Sequence, residues 1–209
     1  MLNKKIVVTL FIVSHILFLS ANHVSAMADH SKTDKAEITQ DLTPPKQINM
    51  YLDGFHCIKT EMNFPKEKQR QIHAAHYCAH HDNVFMCSVY DGTGADARLV
   101  AVEYVINSDT YQKLSKAEKK YWHPHNGEVD TGLLRMPGLD STKEKATLSF
   151  LRSTWGKTWQ VWPDLSNDLP IGKPVLLWSI DADKINASTK RIVAQRDTKK
   201  FRDQFFVSA

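Results

Sequence analysis

Two short stretches concentrate side chains that bind metals or move protons. His76-Tyr77-Cys78-Ala79-His80 places imidazole, thiol and imidazole at alternate positions. On an extended chain, residues two apart project from one face, so the three would line up. Imidazole nitrogen and thiolate sulfur are ligands that zinc, copper and iron prefer. The second stretch, His123-Pro124-His125-Asn126-Gly127-Glu128, gathers two imidazoles and a carboxylate within six residues. That composition suits a facial ligand set with open coordination positions.

Each stretch alone also has a plain structural explanation. A polar strand face with a buried Cys78 accounts for the first. A histidine at a helix C-terminus interacts favourably with the helix dipole, and Asn-Gly is a common turn. Together they carry more weight, because seven of the ten histidines fall between positions 56 and 125. His56, His76, His80, His123 and His125 are the candidate metal ligands, for zinc or another divalent transition metal. Glu128 is the candidate catalytic residue, as ligand or general base. Other chemistries lack their signatures: there is no Gly-x-Ser-x-Gly elbow, phosphate-binding Walker loop or dinucleotide fingerprint. A nucleophilic Cys78 activated by its flanking histidines is the remaining covalent alternative.

The elements that must position these residues are readable in outline. Ile48, Tyr51, Leu52 and Phe55 recur at helical spacing, which predicts a short helix over 47–57 with His56 near its end. Residues 71–80 and 84–90 are rich in strand formers around His81-Asp82-Asn83, which predicts a β-hairpin. Leu99 to Ile106 alternates as a third strand, and Glu103 falls on its largely apolar face, where a carboxylate needs a partner. A helix is expected from Asp109 to Trp122, with a restart at the capping-box pair Ser115 and Glu118 and an end forced by Pro124. A second helix is expected over 142–154 with Gly156 as its C-cap. Strands are expected at Trp159–Trp162 and Val175–Ile180. The tail, 190–206, reads as an amphipathic helix with Ile192, Phe201 and Phe205 inward. Strands in a run with separate helices give an α+β fold: a single domain, an antiparallel sheet with packed helices.

The N-terminus suggests export. Lys4 and Lys5 precede an apolar run from Ile6 to Leu19, and Val24-Ser25-Ala26 supplies the small residues read by a signal peptidase. Residues 1–26 are thus expected to be a cleaved signal peptide, placing the protein in the periplasm or outside the cell. The run is short for a membrane span, and no later stretch is apolar enough to form one. Removing 26 of 209 residues leaves 183, enough for one domain with a real core. Residues 27–46 read as a flexible leader ending in Pro44-Pro45, with the domain occupying 47–209. Losing Lys4 and Lys5 leaves 25 basic against 23 acidic residues, a balance that gives no case for nucleic acid.

Export also makes a disulfide chemically accessible. A four-residue hairpin loop over 81–84 would set His80 opposite Phe85 and Cys78 opposite Cys87, where a cross-strand bond is possible but somewhat strained. A register shift of one residue would remove that option. The bond would leave Cys57 as the odd thiol and exclude Cys78 from ligation.

Several segments resemble the oil body-associated protein-like family, which includes plant seed proteins and many bacterial and fungal sequences. They include Leu52-Asp53-Gly54-Phe55-His56, His76-Tyr77-Cys78-Ala79-His80, Ala97-Arg98-Leu99, Trp122-His123-Pro124-His125 with Glu128, Met136-Pro137-Gly138 and Gly156-Lys157-Thr158-Trp159. They follow the family order from about 47 to 180. The resemblance implies association with lipid bodies and no defined activity. Two functions follow as expectations. One is a metal-binding or metal-dependent protein built on the histidines. The other is a non-catalytic module for a lipid, a small apolar ligand or a protein partner, with structural histidines and a pocket lined by Trp159 and Trp162.

Overall fold

The computed structural model describes residues 41–197. A helical turn, α1 (Thr43–Lys46), precedes four strands: β1 (Met50–Ile58), β2 (Gln71–His81), β3 (Val84–Tyr90) and β4 (Leu99–Asn107). Two short helices, α2 (Ser108–Gln112) and α3 (Lys116–Lys119), lead to β5 (His123–Pro124). α4 (Asn126–Asp130), α5 (Ser141–Leu151), β6 (Thr154–Gln160), β7 (Val175–Ser179) and α6 (Ala187–Arg196) follow.

The sheet is antiparallel and runs β4-β3-β2-β1-β7-β6, after which β6 pairs back with β4. Six strands therefore close into a barrel. β5 is appended to β6: Gly156 pairs with Val105 of β4 on one side and with His123 on the other. The barrel interior contains Leu52, Ala74, Cys78, Cys87, Val89, Ala101, Val105 and Leu177. A second core, built from Phe55, Cys57, Leu133, Ile180 and Ile185, is packed by Ile192 and Val193 of α6. Arg196 anchors α6: its Nη1 donates to Asp53 Oδ1 at 3.1 Å and to the Leu133 carbonyl at 2.6 Å.

The α+β antiparallel domain matches the sequence-based expectation, but several elements differ. Residues 50–58 form a strand, not part of a helix. β1 is buried on both faces: Leu52 and Ile58 join the barrel core, while Phe55 and Cys57 join the second core. A strand covered on both faces loses its alternation, and its apolar residues then fall by chance at helical spacing. The 109–122 helix is two helices, and Ser115 caps the second by accepting from the Glu118 N–H at 3.2 Å. α5 ends at Leu151, and Gly156 lies inside β6, which starts five residues before the expected strand at Trp159. α6 spans Ala187–Arg196, beginning before the expected 190. Phe201, Phe205, the expected signal peptide and residues 27–40 of the expected leader lie outside the described residues.

The 71–90 hairpin and the third strand occur as expected, including the pairs Cys78–Cys87 and His80–Phe85. On β4, Ala101, Glu103 and Val105 are buried, while Val102 and Tyr104 are exposed. Leu99 departs from the alternation. The register shifts so that Val89 pairs with Ala101 and Tyr90 with Leu99, a bulge that turns Leu99 outward.

Candidate metal centre

The barrel aims side chains from five elements at one interior point. On β1, the inward residues Leu52 and Ile58 share parity with His56, and on β2, Ala74 and Cys78 share parity with His76. β4 contributes Glu103 by the same rule. Pro124 keeps His123 out of helical geometry. His123 pairs with Gly156, and the His125 N–H donates to the Thr154 carbonyl at 3.2 Å, so both imidazoles face the interior. His125 then caps α4, which brings Glu128 one turn further along.

Four imidazoles converge through Nε2 on the Glu103 carboxylate. His76 Nε2 lies 2.7 Å and His56 Nε2 3.7 Å from Glu103 Oε2. His125 Nε2 lies 3.2 Å and His123 Nε2 3.8 Å from Oε1. His56 and His123 approach to 3.3 Å between their Nε2 atoms. Glu128 Oε1 is 3.8 Å from His125 Nε2. Two triads, His56–His76–Glu103 and Glu103–His123–His125, each hold their donor atoms within 4.8 Å of one another and meet at Glu103. All six residues are buried.

Thr154 sets the tautomer of His125. Its single hydroxyl proton goes to the Leu151 carbonyl at 2.7 Å, so its oxygen accepts from His125 Nδ1–H, also at 2.7 Å. In the neutral ring the Nε2 lone pair then points at the cluster. Such an outer hydrogen bond commonly fixes a metal-binding imidazole. The Nε2–Oε1 contact to Glu103 is attractive only with a proton on that nitrogen or a cation between the two.

Electrostatics follow from burial opposed by Glu103. Burial would raise the Glu103 carboxyl, but His76 and His125 overcome it and hold the group well below the usual range. Burial also works against charge on His76 and His125, yet contact with Glu103 leaves both raised. Burial wins at His56, pushed down to about 3, and at His123, well below its ordinary value. Those two rings stay neutral with lone pairs available. Burial pushes Glu128 up to about 7, the range suited to a general acid or base at neutral pH.

This donor set fits a divalent transition ion. With metal–nitrogen bonds of about 2.1 Å, adjacent donors around one ion stand about 3.0–3.4 Å apart. Imidazoles with one or two carboxylates suit zinc, iron, copper or nickel. Among the described residues, Oε2 of Glu128 has no partner, nor do the outward Nδ1 atoms of His56, His76 and His123. Gly156 makes the arrangement sterically feasible. A Cβ there would stand 2.1 Å from Glu103 Oε1, 2.6 Å from His125 Nε2 and 2.9 Å from His123 Nε2.

Of the residues singled out by sequence, His56, His76, His123, His125 and Glu128 come together. His80 does not: it is exposed near the hairpin tip and stacks on Phe85 at 4.5 Å between centroids. It shares the inward parity of β2 but lies past the end of the packed interior. His73 pairs with Asp53 at 2.7 Å on the outer face, and His81 lies beside Asp82 in solvent. Cys78 is bonded to Cys87, which removes it from the ligand set, and Cys57 is free and buried in the second core. Trp159 lies near Tyr121 on the outer face of β6, and Trp162 lies beneath Arg98. Glu103, Thr154 and Gly156 were missed as site residues. Glu103 had left a trace, a lone carboxylate on an apolar strand face.

Fold and site define a closed antiparallel barrel with an internal histidine–carboxylate cluster. The chain belongs to the family described as protein of unknown function, DUF1264, whose family model matches residues 42–204. It is 35% identical over 150 residues to oil body-associated protein 1B of Arabidopsis thaliana, covering 71% of this chain and 60% of that protein. It is 39% identical over 142 residues to oil body-associated protein 1A of Zea mays, covering 66% and 56%. Oil body-associated protein 2A of Zea mays is 34% identical over 164 residues, covering 78% and 63%. The chain thus spans 56–63% of the length of these relatives. No solved structure matches it. No helix among the described residues is long and apolar enough to cross a membrane.

Proposed function

We propose that this protein holds a divalent transition metal inside its barrel through His56, His76, Glu103, His123 and His125, with Glu128 beside the ion as general base. One observation carries the reading: four imidazole Nε2 atoms converge on one buried carboxylate. Elemental analysis of protein purified without a histidine tag tests it. We expect a stoichiometric transition metal, lost in His76→Ala and in His123→Ala. Metal-free protein whose stability is unchanged by either substitution would favour the second reading, a non-catalytic lipid- or partner-binding module. That reading draws on the names of the relatives and on the exposed apolar pair Leu169 and Ile171 between β6 and β7.

Export to the periplasm or medium belongs to the same proposal. The signal-like pattern of residues 1–26 supports it, and a buried disulfide suits an oxidising compartment. N-terminal sequencing of protein from envelope or medium should begin at Met27. A chain retaining Met1 to Ala26 in the membrane fraction would overturn cleavage and make the segment an N-terminal anchor.

A further inference from the structure

The space beside the cluster is small and bounded by aliphatic side chains. His56, His76, Glu103, His125 and Glu128 share a cavity of about 10 Å³ with Leu52, Val105, Leu134 and Leu151. A void of about 10–15 Å³ is the threshold for holding one water molecule. Among the described residues, the polar side chains lining this cavity are those of the cluster itself.

Leu134 has a particular place in this wall. It also lines an open surface cleft of about 380 Å³ with Val129, Arg135, Leu148 and Arg152. Leu134 therefore lines both the cleft and the buried cavity. Gly54 backs it closely: a Cβ at that position would stand 3.1 Å from Leu134 Cδ1. The Leu134 N–H donates to the Glu128 carbonyl at 3.0 Å, which ties the partition to the helix carrying Glu128.

We propose that the ion's exchangeable ligand is a molecule of at most three heavy atoms, such as water, dioxygen, superoxide or peroxide, and that Leu134 is the partition setting this limit. The proposal rests on the metal reading above. Metal-assisted hydrolysis or group transfer brings a carbonyl or phosphoryl group to the ion. A cavity of water size excludes such substrates, whereas a ligand of one to three atoms on the ion asks only a small displacement of the aliphatic wall.

The test uses the full chain loaded with Co(II), whose visible bands respond to a change of ligand. Azide is the small probe and imidazole the larger one. In the wild-type protein, azide should shift the bands saturably, and imidazole should bind about tenfold or more weaker, within the range that pocket size imposes. Leu134→Ala should admit imidazole, and Leu134→Val provides a smaller change should the alanine variant fail to fold. Imidazole binding to wild-type protein as well as azide would overturn the proposal, as would bands that respond to neither probe. Failure to take up cobalt would instead overturn the metal reading, and the proposal with it.

Discussion

His76 Nε2 lies 2.7 Å from Glu103 Oε2, although their strands are not neighbours. β3 stands between β2 and β4 in the sheet. The contact therefore crosses the barrel interior and does not follow strand pairing. It exists because the sheet curls until β4 meets β6, which turns the inner faces of β2 and β4 toward each other. Glu103 is the only residue common to both triads, so the cluster's charge balance depends on it.

Glu103→Gln keeps the side chain's size and removes its charge. It takes away the anionic ligand and the contact that raises His76 and His125. Altering partners outside the ligand shell typically costs 10–100-fold in metal affinity, so loss of a ligand should exceed about 100-fold. Chelator competition measures this. Affinity retained within about threefold would place the ion elsewhere.

Gly156→Ala puts a methyl group among three donors, at 2.1, 2.6 and 2.9 Å. The backbone around it is held in β6 between β4 and β5, so the donors must move. Overpacking of this kind costs about 1–3 kcal/mol. Urea unfolding should show that loss, and elemental analysis should show the metal gone. Full metal content in a stable alanine variant would show that the donors can rearrange.

Glu128 gives a pH dependence whose sign can be worked out. Its carboxyl is pushed up from 4.5 to about 7 in the folded protein, so the folded state holds a proton that the unfolded state has released. Glu128 therefore costs the metal-free protein nothing below about 4.5, and the cost grows as pH rises toward 7. Glu128→Gln removes this dependence. Its stability relative to wild type should rise between pH 5 and pH 8 by on the order of 3 kcal/mol. Chemical denaturation of both metal-free proteins across that range is the measurement. A constant difference would show that Glu128 ionises normally.

The thiols give a mass-spectrometric prediction. Burial pushes the Cys57 thiol up to about 11, so alkylation of the native protein should be very slow. Unfolding without reductant should expose one reactive thiol, and unfolding with reductant all three cysteines. A non-reduced digest should contain a linked Cys78–Cys87 peptide. Three reactive thiols without reductant would show that the bond does not form.

Local features were legible where local physics governs. The hairpin from β2 to β3 followed from its strand formers and turn, and the loop length set the register that opposes Cys78 to Cys87. Ser115 as a cap and Pro124 as a stop followed from backbone hydrogen bonding and sterics within a few residues. Histidine density pointed to the region of the cluster. β1 was misread because the second core covers its outer face, and most of that cover arrives from Leu133 and from Ile180, Ile185, Ile192 and Val193, far along the chain.

The sequence by itself determined which donors the chain possesses, which of them share a strand face, and that Glu103 needs a partner. Only the tertiary structure decided which of them meet. Closure of β4 onto β6 brings Glu103 to four histidines from β1, β2 and the β5 turn, and it leaves His80 in solvent despite its matching parity. It also turns Gly156 from an expected helix cap into the gap the donors occupy, because the need for a missing Cβ arises from atoms distant in the chain. Side-chain alternation is a property of one strand, whereas convergence depends on barrel curvature, which six strands set together.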